Sequence, residues 1–256
     1  MSNPYAIPQT SLGVKIYALS AAVFLFTAIV LHLRRQLKLQ NRSLHIFYMI
    51  TLFMGGYFLA VGFFAARGAF LVFEPFPARI LLMVFGAMFA ALALLFYPGT
   101  HDLWRSIALR SIIGLQCFRF LAELLILWLE REKAMPAVMT ITGRNYDLLV
   151  PISALLIYLW MRNREPGAAA RRWLVAWNVV GIAVLLNTVA TAILSLPTPR
   201  QAFAFDAPLV TPALFPFYLL PVFMVPLALS LHVFALLKLS GYYTLSPQRA
   251  TASGIR

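Results

Sequence analysis

Residues 106–129 read SIALRSIIGLQCFRFLAELLILWL, a run long and apolar enough to cross a bilayer as a helix. Arg119 and Glu123 lie one helical turn apart near its middle. An arginine at that depth costs about 2.5–3.5 kcal/mol on insertion scales, so it is expected to be paired or to have a function. This stretch therefore predicts a membrane protein with a polar site inside the bilayer.

The composition of the whole chain agrees with that interpretation. Of its 256 residues, 62% are hydrophobic and 11% are charged, whereas soluble globular domains have about 25% charged residues. The loops between apolar runs are short. We therefore predict an all-α integral membrane protein with a single transmembrane domain over residues 1–256.

Seven stretches meet the length and hydropathy of a membrane-spanning helix. The predicted spans are Val14–Leu33, Ile46–Ala66, Ala78–Tyr97, Ser106–Leu129, Tyr146–Met161, Trp173–Leu194 and Ala213–Lys238. The seventh contains Pro216, Pro221 and Pro226, each of which removes a backbone donor, so this helix is expected to kink or partly unwind.

Basic residues indicate the orientation of these spans, because Lys and Arg are enriched in cytoplasmic loops. With alternating spans, one side carries twelve of them: Arg34, Arg35, Lys38, Arg42, Arg105, Arg162, Arg164, Arg171, Arg172, Lys238, Arg249 and Arg256; the other side carries seven. We therefore predict an external N-terminus and a short cytoplasmic tail over residues 239–256. The net charge of +13 has the same explanation, and no nucleic-acid partner is expected.

Two groups of polar residues are candidates for a binding site. Gln116, Arg119 and Glu123 are spaced three and four apart, so they share one helix face. Arg144, Asn145 and Asp147 stand at the start of the fifth predicted span, where Asp147 either caps the helix N-terminus or contacts a ligand. Since short loops make spans four and five neighbours, the two groups are expected to meet.

Two interpretations of that meeting remain open. Arg119, Arg144, Glu123 and Asp147 either form a charge-balanced clamp that fixes helix packing, or line a pocket that accepts a small anionic group. In the pocket, Glu123 would be available for proton exchange.

Uncharged and imidazole groups add two further candidates. Asn187 lies in span six with Asn178, Thr188 and Thr191, where such residues often join helices by hydrogen bonds. His232 in span seven is a proton carrier, a haem ligand with His32 or a satisfied core histidine. No motif supports haem, and the scattered histidines and the single cysteine do not form a metal site, so no cofactor or metal is predicted.

Known catalytic patterns do not account for the sequence. Span seven has no mid-helix lysine for a retinal Schiff base, and no G-x-S-x-G or H-E-x-x-H motif occurs. A lipid-acting enzyme would have to use Glu123, Asp147 or His232 as acid or base, and no two of them have a diagnostic spacing. A lipid-acting membrane enzyme is therefore the third alternative, and a non-enzymatic role is expected ahead of it.

Phe118-Arg119-x-x-x-Glu123, followed by Met139-Thr140-x-x-Gly143-Arg144-Asn145-x-Asp147, resembles a pattern in predicted bacterial seven-helix inner-membrane proteins of no established activity. The resemblance implies a multi-pass protein of the bacterial inner membrane. It implies no reaction, substrate or cofactor.

The function we expect is the binding or transport of a small anionic or amphipathic solute, with Arg119 and Arg144 recognising its charge. The alternative is a non-catalytic subunit or assembly factor whose helix bundle docks on a membrane-protein partner. Membrane lipid is the other expected contact.

Overall fold

The computed structural model describes residues 7–39 and 44–243, and this part of the chain is all-helical, with no strand. Its α-helices are α1 (Leu12–Leu39), α2 (His45–Ala66), α3 (Arg79–Phe96), α4 (His101–Ser106), α5 (Leu109–Leu115), α6 (Arg119–Arg131), α7 (Leu149–Trp160), α8 (Ala168–Ser195) and α9 (Val225–Leu239). Arg42, Arg249, Arg256 and most of the predicted tail lie outside the described residues.

Within residues 7–39 and 44–243, six helical stretches are long and apolar enough to cross a membrane, as in a multi-pass membrane protein. They are Leu12–Leu39, Phe47–Ala66, Arg79–Phe96, Leu109–Arg131, Ala168–Ser195 and Leu220–Leu239. The fifth predicted span, Tyr146–Met161, is shorter than expected. It contributes the twelve residues of α7 and a 3₁₀ turn over Met161–Asn163.

The fourth predicted span starts later than expected and is not a continuous α-helix. Ser106 ends α4, and Ile107 and Ala108 are extended before α5 begins at Leu109. A 3₁₀ turn over Gln116–Phe118 then separates α5 from α6. Arg119 is the first residue after that turn, so the charged side chain follows a break in the α-helical pattern.

Helix α7 runs antiparallel to α5 and extends along only part of the length of the bundle. The Cys117 thiol lies 3.8 Å from the Pro151 carbonyl oxygen, and Arg110 Nε donates to the Tyr158 carbonyl oxygen at 3.1 Å. The start of α7 therefore lies level with the middle of the Leu109–Arg131 span. At 1.5 Å per residue α7 is about 18 Å long, against about 30 Å for the hydrocarbon core.

Residues 132–148, which lead from α6 to α7, are largely non-helical, and their backbone groups bond to one another. Arg144 N donates to the Val138 carbonyl at 2.9 Å, and Asn145 N donates to the Thr140 carbonyl at 3.2 Å. A Cβ on Gly143 would lie 2.5 Å from the Ala137 carbonyl oxygen, so this tight turn requires glycine. Irregular backbone at membrane depth is tolerated where protein covers it or where it lines a cavity.

The seventh predicted span is irregular, and the expectation that its prolines disturb it is confirmed. Regular α-helix begins only at Val225, after a π-helical turn over Leu220–Met224. Pro221 and Pro226 lack the N–H groups that an uninterrupted α-helix would use at these positions. Helix α9 nevertheless forms the centre of the bundle, where it packs against α3, α5 and α8.

Contacts between loops and between helix termini define two ends of the bundle. At the first end, the Ser11 backbone N–H donates to Glu132 Oε2 at 2.8 Å. At the second end, the contact is between helix termini rather than loops: Lys238 Nζ, in the last turn of α9, donates to the Arg105 carbonyl oxygen of α4 at 2.8 Å. Successive segments alternate between these ends, and Asp147 begins its segment between them.

Candidate functional site

A buried ion pair between α6 and the start of α7 forms the centre of the site. Arg119 Nε donates to Asp147 Oδ2 at 2.7 Å, and Arg119 Nη2 donates to Asp147 Oδ1. Arg119 is 1% exposed and Asp147 is 6% exposed. This fork geometry is the strongest way for a guanidinium to hold a carboxylate. The two predicted groups of polar residues therefore meet through this pair.

His232 of α9 completes the contacts of the Arg119 guanidinium. Arg119 Nη1 lies 3.1 Å from His232 Nε2, and His232 Nδ1 lies 2.9 Å from Asn178 Oδ1. A guanidinium has only donors, so Nε2 must be the acceptor and Nδ1 must carry the proton. Asn178 Nδ2 donates to the Leu174 carbonyl at 2.8 Å, which leaves Oδ1 to accept from His232. The hydrogen bonds thus fix a neutral His232.

Gly181 of α8 makes the room that the His232 ring occupies. A Cβ at this position would lie 2.3 Å from His232 Cε1 and 2.5 Å from His232 Nε2. Sequence reasoning missed this residue. The only available signal was its position three residues after Asn178, which places both on one helix face.

A second layer, towards the first end, joins Glu123 to Asp147 through an amide. Asn145 Nδ2 lies 3.1 Å from each oxygen of the Glu123 carboxylate. Asn145 Oδ1 accepts from the Asp147 backbone N–H at 2.9 Å and from the Thr188 hydroxyl at 3.0 Å. Asn145 therefore positions both carboxylates, and it is itself 1% exposed. Thr188 was expected only to join helices.

Gln116, one turn before Arg119, reaches the same face of α9. Its Nε2 donates to the Ala228 carbonyl oxygen at 3.3 Å, one turn before His232. Among the residues that the structure describes, Gln116 Oε1 has no hydrogen-bond partner, although the side chain is 1% exposed. A buried acceptor without a partner is rare enough to need an explanation.

Arg144 is the predicted site residue that lies apart from this cluster. Its side chain is exposed, and its guanidinium lies 4.9 Å from the centre of the Phe203 ring. Only its backbone takes part, because Asn187 Nδ2 donates to the Arg144 carbonyl oxygen at 2.7 Å. The expected four-charge network of Arg119, Arg144, Glu123 and Asp147 therefore requires correction. The structure replaces Arg144 with His232 and Asn145.

The charges of the cluster limit what it can do. It contains one cation, Arg119, and two carboxylates, Glu123 and Asp147, with a neutral His232. One proton on either carboxylate brings the net charge of the cluster to zero. Of the two carboxylates, Asp147 is the one that the guanidinium holds. No group of three or more His, Cys, Asp or Glu side chains able to hold a metal occurs within residues 7–39 and 44–243.

Comparison with known proteins gives one result. A family model described as "Domain of unknown function (DUF8737)" matches residues 76–240. This stretch contains α3 to α9 and every residue of the cluster. No curated protein and no solved structure matches the chain.

Proposed function

The chain belongs to this family of unknown function, and we propose that it is a membrane carrier that binds a small anionic or amphipathic solute at Arg119. The observation that supports the proposal is the buried Arg119–Asp147 pair at the point where α7 begins inside the bundle. Ionisable residues at this depth commonly mark substrate or ion pathways.

The helices around the pair have the irregularities that carriers use. Carriers place solute sites near the midplane, at helices that start or break inside the membrane. Here α7 starts beside Arg119, a 3₁₀ turn precedes Arg119, and a π-helical turn precedes α9. The first two features adjoin the buried Arg119, and the third lies on the segment that brings His232 to it.

Asp147 would act as the internal substitute for the solute. A guanidinium binds carboxylates and phosphates by the same fork, so an entering anion can take the place of Asp147. Asp147 stands at the end of the irregular segment 132–148, which is suited to move away without bending a long helix. Release of Asp147 would then expose Arg119 to the solute.

Glu123 would carry the coupled proton. An anion that enters adds negative charge to a cluster that already holds two carboxylates, Glu123 and Asp147. Proton uptake on Glu123 offsets part of that charge, and Asn145 keeps this carboxylate close to Asp147. Solute movement would therefore be accompanied by proton movement.

Thermal stability in lipid nanodiscs tests the proposal, with acetate, lactate, succinate and inorganic phosphate as probes. A ligand that binds only the folded protein raises its melting temperature by mass action. We expect at least one probe to do so, and the effect to vanish in the double variant Arg119→Met/Asp147→Leu. The control Arg200→Ala removes an exposed arginine that lies over Phe76, and it should keep the effect.

Transport is then measured as uptake of the stabilising anion into proteoliposomes that contain a pH-sensitive dye. Uptake with acidification of the lumen supports a proton-coupled carrier. If no probe stabilises the native protein and the double variant is as stable as the native chain, the cluster is a structural clamp.

We further propose that α7 completes seven membrane segments in a bacterial inner membrane, with the first end outside. The charge bias among the loops supports that orientation. Because Cys117 is the only cysteine, a Cys117→Ala background allows single cysteines to be labelled from one side. If the cysteine of Glu132→Cys were labelled only from the cytoplasmic side, the orientation would be the opposite of the proposed one.

The alternative role, a subunit of a larger membrane complex, is favoured by one observation. Helix α2 has only 17% of its most apolar stretch buried, and a Cβ on Gly55 or Gly56 would meet nothing within 4 Å. Small residues on an open face permit close helix approach. A protein that co-purifies from the native membrane and is lost in Gly56→Leu would support this role.

A further inference from the structure

The unpartnered acceptor of Gln116 indicates which chemical group the solute should have. The orientation of the amide is fixed, because the Ala228 carbonyl oxygen only accepts and must face Nε2. Oε1 is therefore the atom without a partner among the described residues. It is an acceptor inside a side chain that is 1% exposed.

Gln116 and Arg119 contact neighbouring positions on helix α9. They lie three residues apart on one helix face, with Cβ atoms about 5–6 Å apart. Their partners on α9, Ala228 and His232, are also one turn apart. The residue that carries the free acceptor is therefore the neighbour, one turn away, of the arginine that would bind the anion.

We propose that the solute is an α-hydroxycarboxylate, whose carboxylate binds Arg119 and whose hydroxyl donates to Gln116 Oε1. This inference rests on the proposed function. A hydroxyl on the carbon next to a carboxylate is close enough to it for two side chains one helical turn apart to bind both groups. An ammonium group is disfavoured in this position, because it would lie close to the guanidinium cation.

Selectivity arises because a solute without the hydroxyl leaves Oε1 buried and unpaired. Sites built to bond a hydroxyl reject the analogue that lacks it more strongly than apolar pockets reject an extra group. Lactate and propionate differ by this one hydroxyl, so they form a matched pair of probes.

The experiment measures the dissociation constants of both probes in nanodiscs, for the native chain and for Gln116→Leu. We expect the native chain to bind lactate at least about tenfold more tightly than propionate. Gln116→Leu should weaken lactate to within about twofold of propionate and leave propionate unchanged. The melting temperature without ligand shows whether this variant folds, and Gln116→Met, which also lacks the acceptor and is similar in size, should give the same loss of preference.

The outcomes separate the two proposals. Equal binding of lactate and propionate that depends on Arg119 overturns the hydroxyl inference and keeps the carrier. A lactate preference that survives Gln116→Leu also overturns the inference. If neither probe binds and no other anion stabilises the protein, the carrier proposal fails together with it.

Discussion

The Leu220–Leu239 span, which contains helix α9, and helix α2 are both long and apolar enough to cross a membrane, yet they differ in how much of each is buried. In the most apolar stretch of the Leu220–Leu239 span 61% of residues are buried, against 17% for α2. The buried side chains of α9 include His232, whereas α2 exposes Leu52, Phe53 and Leu59. Similar hydropathy thus corresponds to two different positions in the bundle, one in its interior and one on its exposed surface.

The buried and the exposed parts of the molecule also differ in how regular their helices are. Helices α1, α2 and α3 are uninterrupted, whereas the segments around the cluster contain a 3₁₀ turn, a π-helical turn and a helix that starts inside the bundle. Backbone groups freed by such breaks need partners that lipid does not supply. The irregular spans Leu109–Arg131 and Leu220–Leu239 are therefore the ones that protein covers most, whereas α1, α2 and α3 expose most of their apolar stretch.

The largest expected effect comes from breaking the buried pair. Asp147→Ala leaves the Arg119 cation buried without its carboxylate, and we expect a loss of about 3–5 kcal/mol in the free energy of unfolding. The double variant Arg119→Met/Asp147→Leu should recover most of it, because both charges leave together. Denaturation in mixed micelles measures the change.

The exposed carboxylate of Asp206 supplies the control for this comparison. Asp206→Ala should change the free energy of unfolding by less than about 0.5 kcal/mol. A double variant as unstable as Asp147→Ala would mean that the pair is more than a mutual neutralisation of charge.

An intermediate effect is expected from glycine substitutions that compare the surroundings of His232 directly with the exposed face of α2. Gly181→Ala brings a Cβ against the His232 ring and should cost about 1–3 kcal/mol through overpacking. Gly56→Ala meets nothing within 4 Å and should be neutral or stabilising by up to about 1 kcal/mol, since alanine is the better helix former.

The same denaturation assay measures both variants. If Gly56→Ala destabilised as much as Gly181→Ala, α2 would have a packing partner of its own, as the subunit alternative predicts. If Gly181→Ala were neutral, His232 would not be held in one place by α8.

The smallest effect is expected at the bond that ties α1 to the end of α6. The Ser11 hydroxyl and N–H donate to Glu132 at 2.5 and 2.8 Å, and these bonds lower the pKa of the Glu132 carboxyl below its ordinary value of 4.5. A carboxyl with a lowered pKa stabilises the fold above its unfolded pKa and loses that contribution as pH falls through the folded value.

We therefore expect Glu132→Gln to reduce the melting temperature slightly at pH 7 and to have no effect well below pH 4.5. Ser11→Ala removes the hydroxyl donor and also the acceptor of the Val14 N–H, so its effect should shrink at acidic pH without vanishing. An effect of equal size at acidic and neutral pH would show that the charge of Glu132 is not involved.

Several features of the site were predictable because they are local. The spacing of Gln116, Arg119 and Glu123 places them on one face, and a carboxylate at the start of the next span suggests a partner for the arginine. The prolines of the last span predict its irregularity. The exposed position of Arg144 was not predictable in this way, because the path of residues 132–148 depends on contacts with α6 and α8.

Sequence alone determined that the chain is helical and apolar, and that a charge pair lies inside it, because hydropathy and helical period are properties of neighbouring residues. Only the tertiary structure decided that Asp147 holds Arg119, that His232 is the third member and that Gly181 makes room for it. These residues lie on three helices and on the irregular segment before α7, and a buried charge takes whichever partner the packing of those segments brings within hydrogen-bond distance.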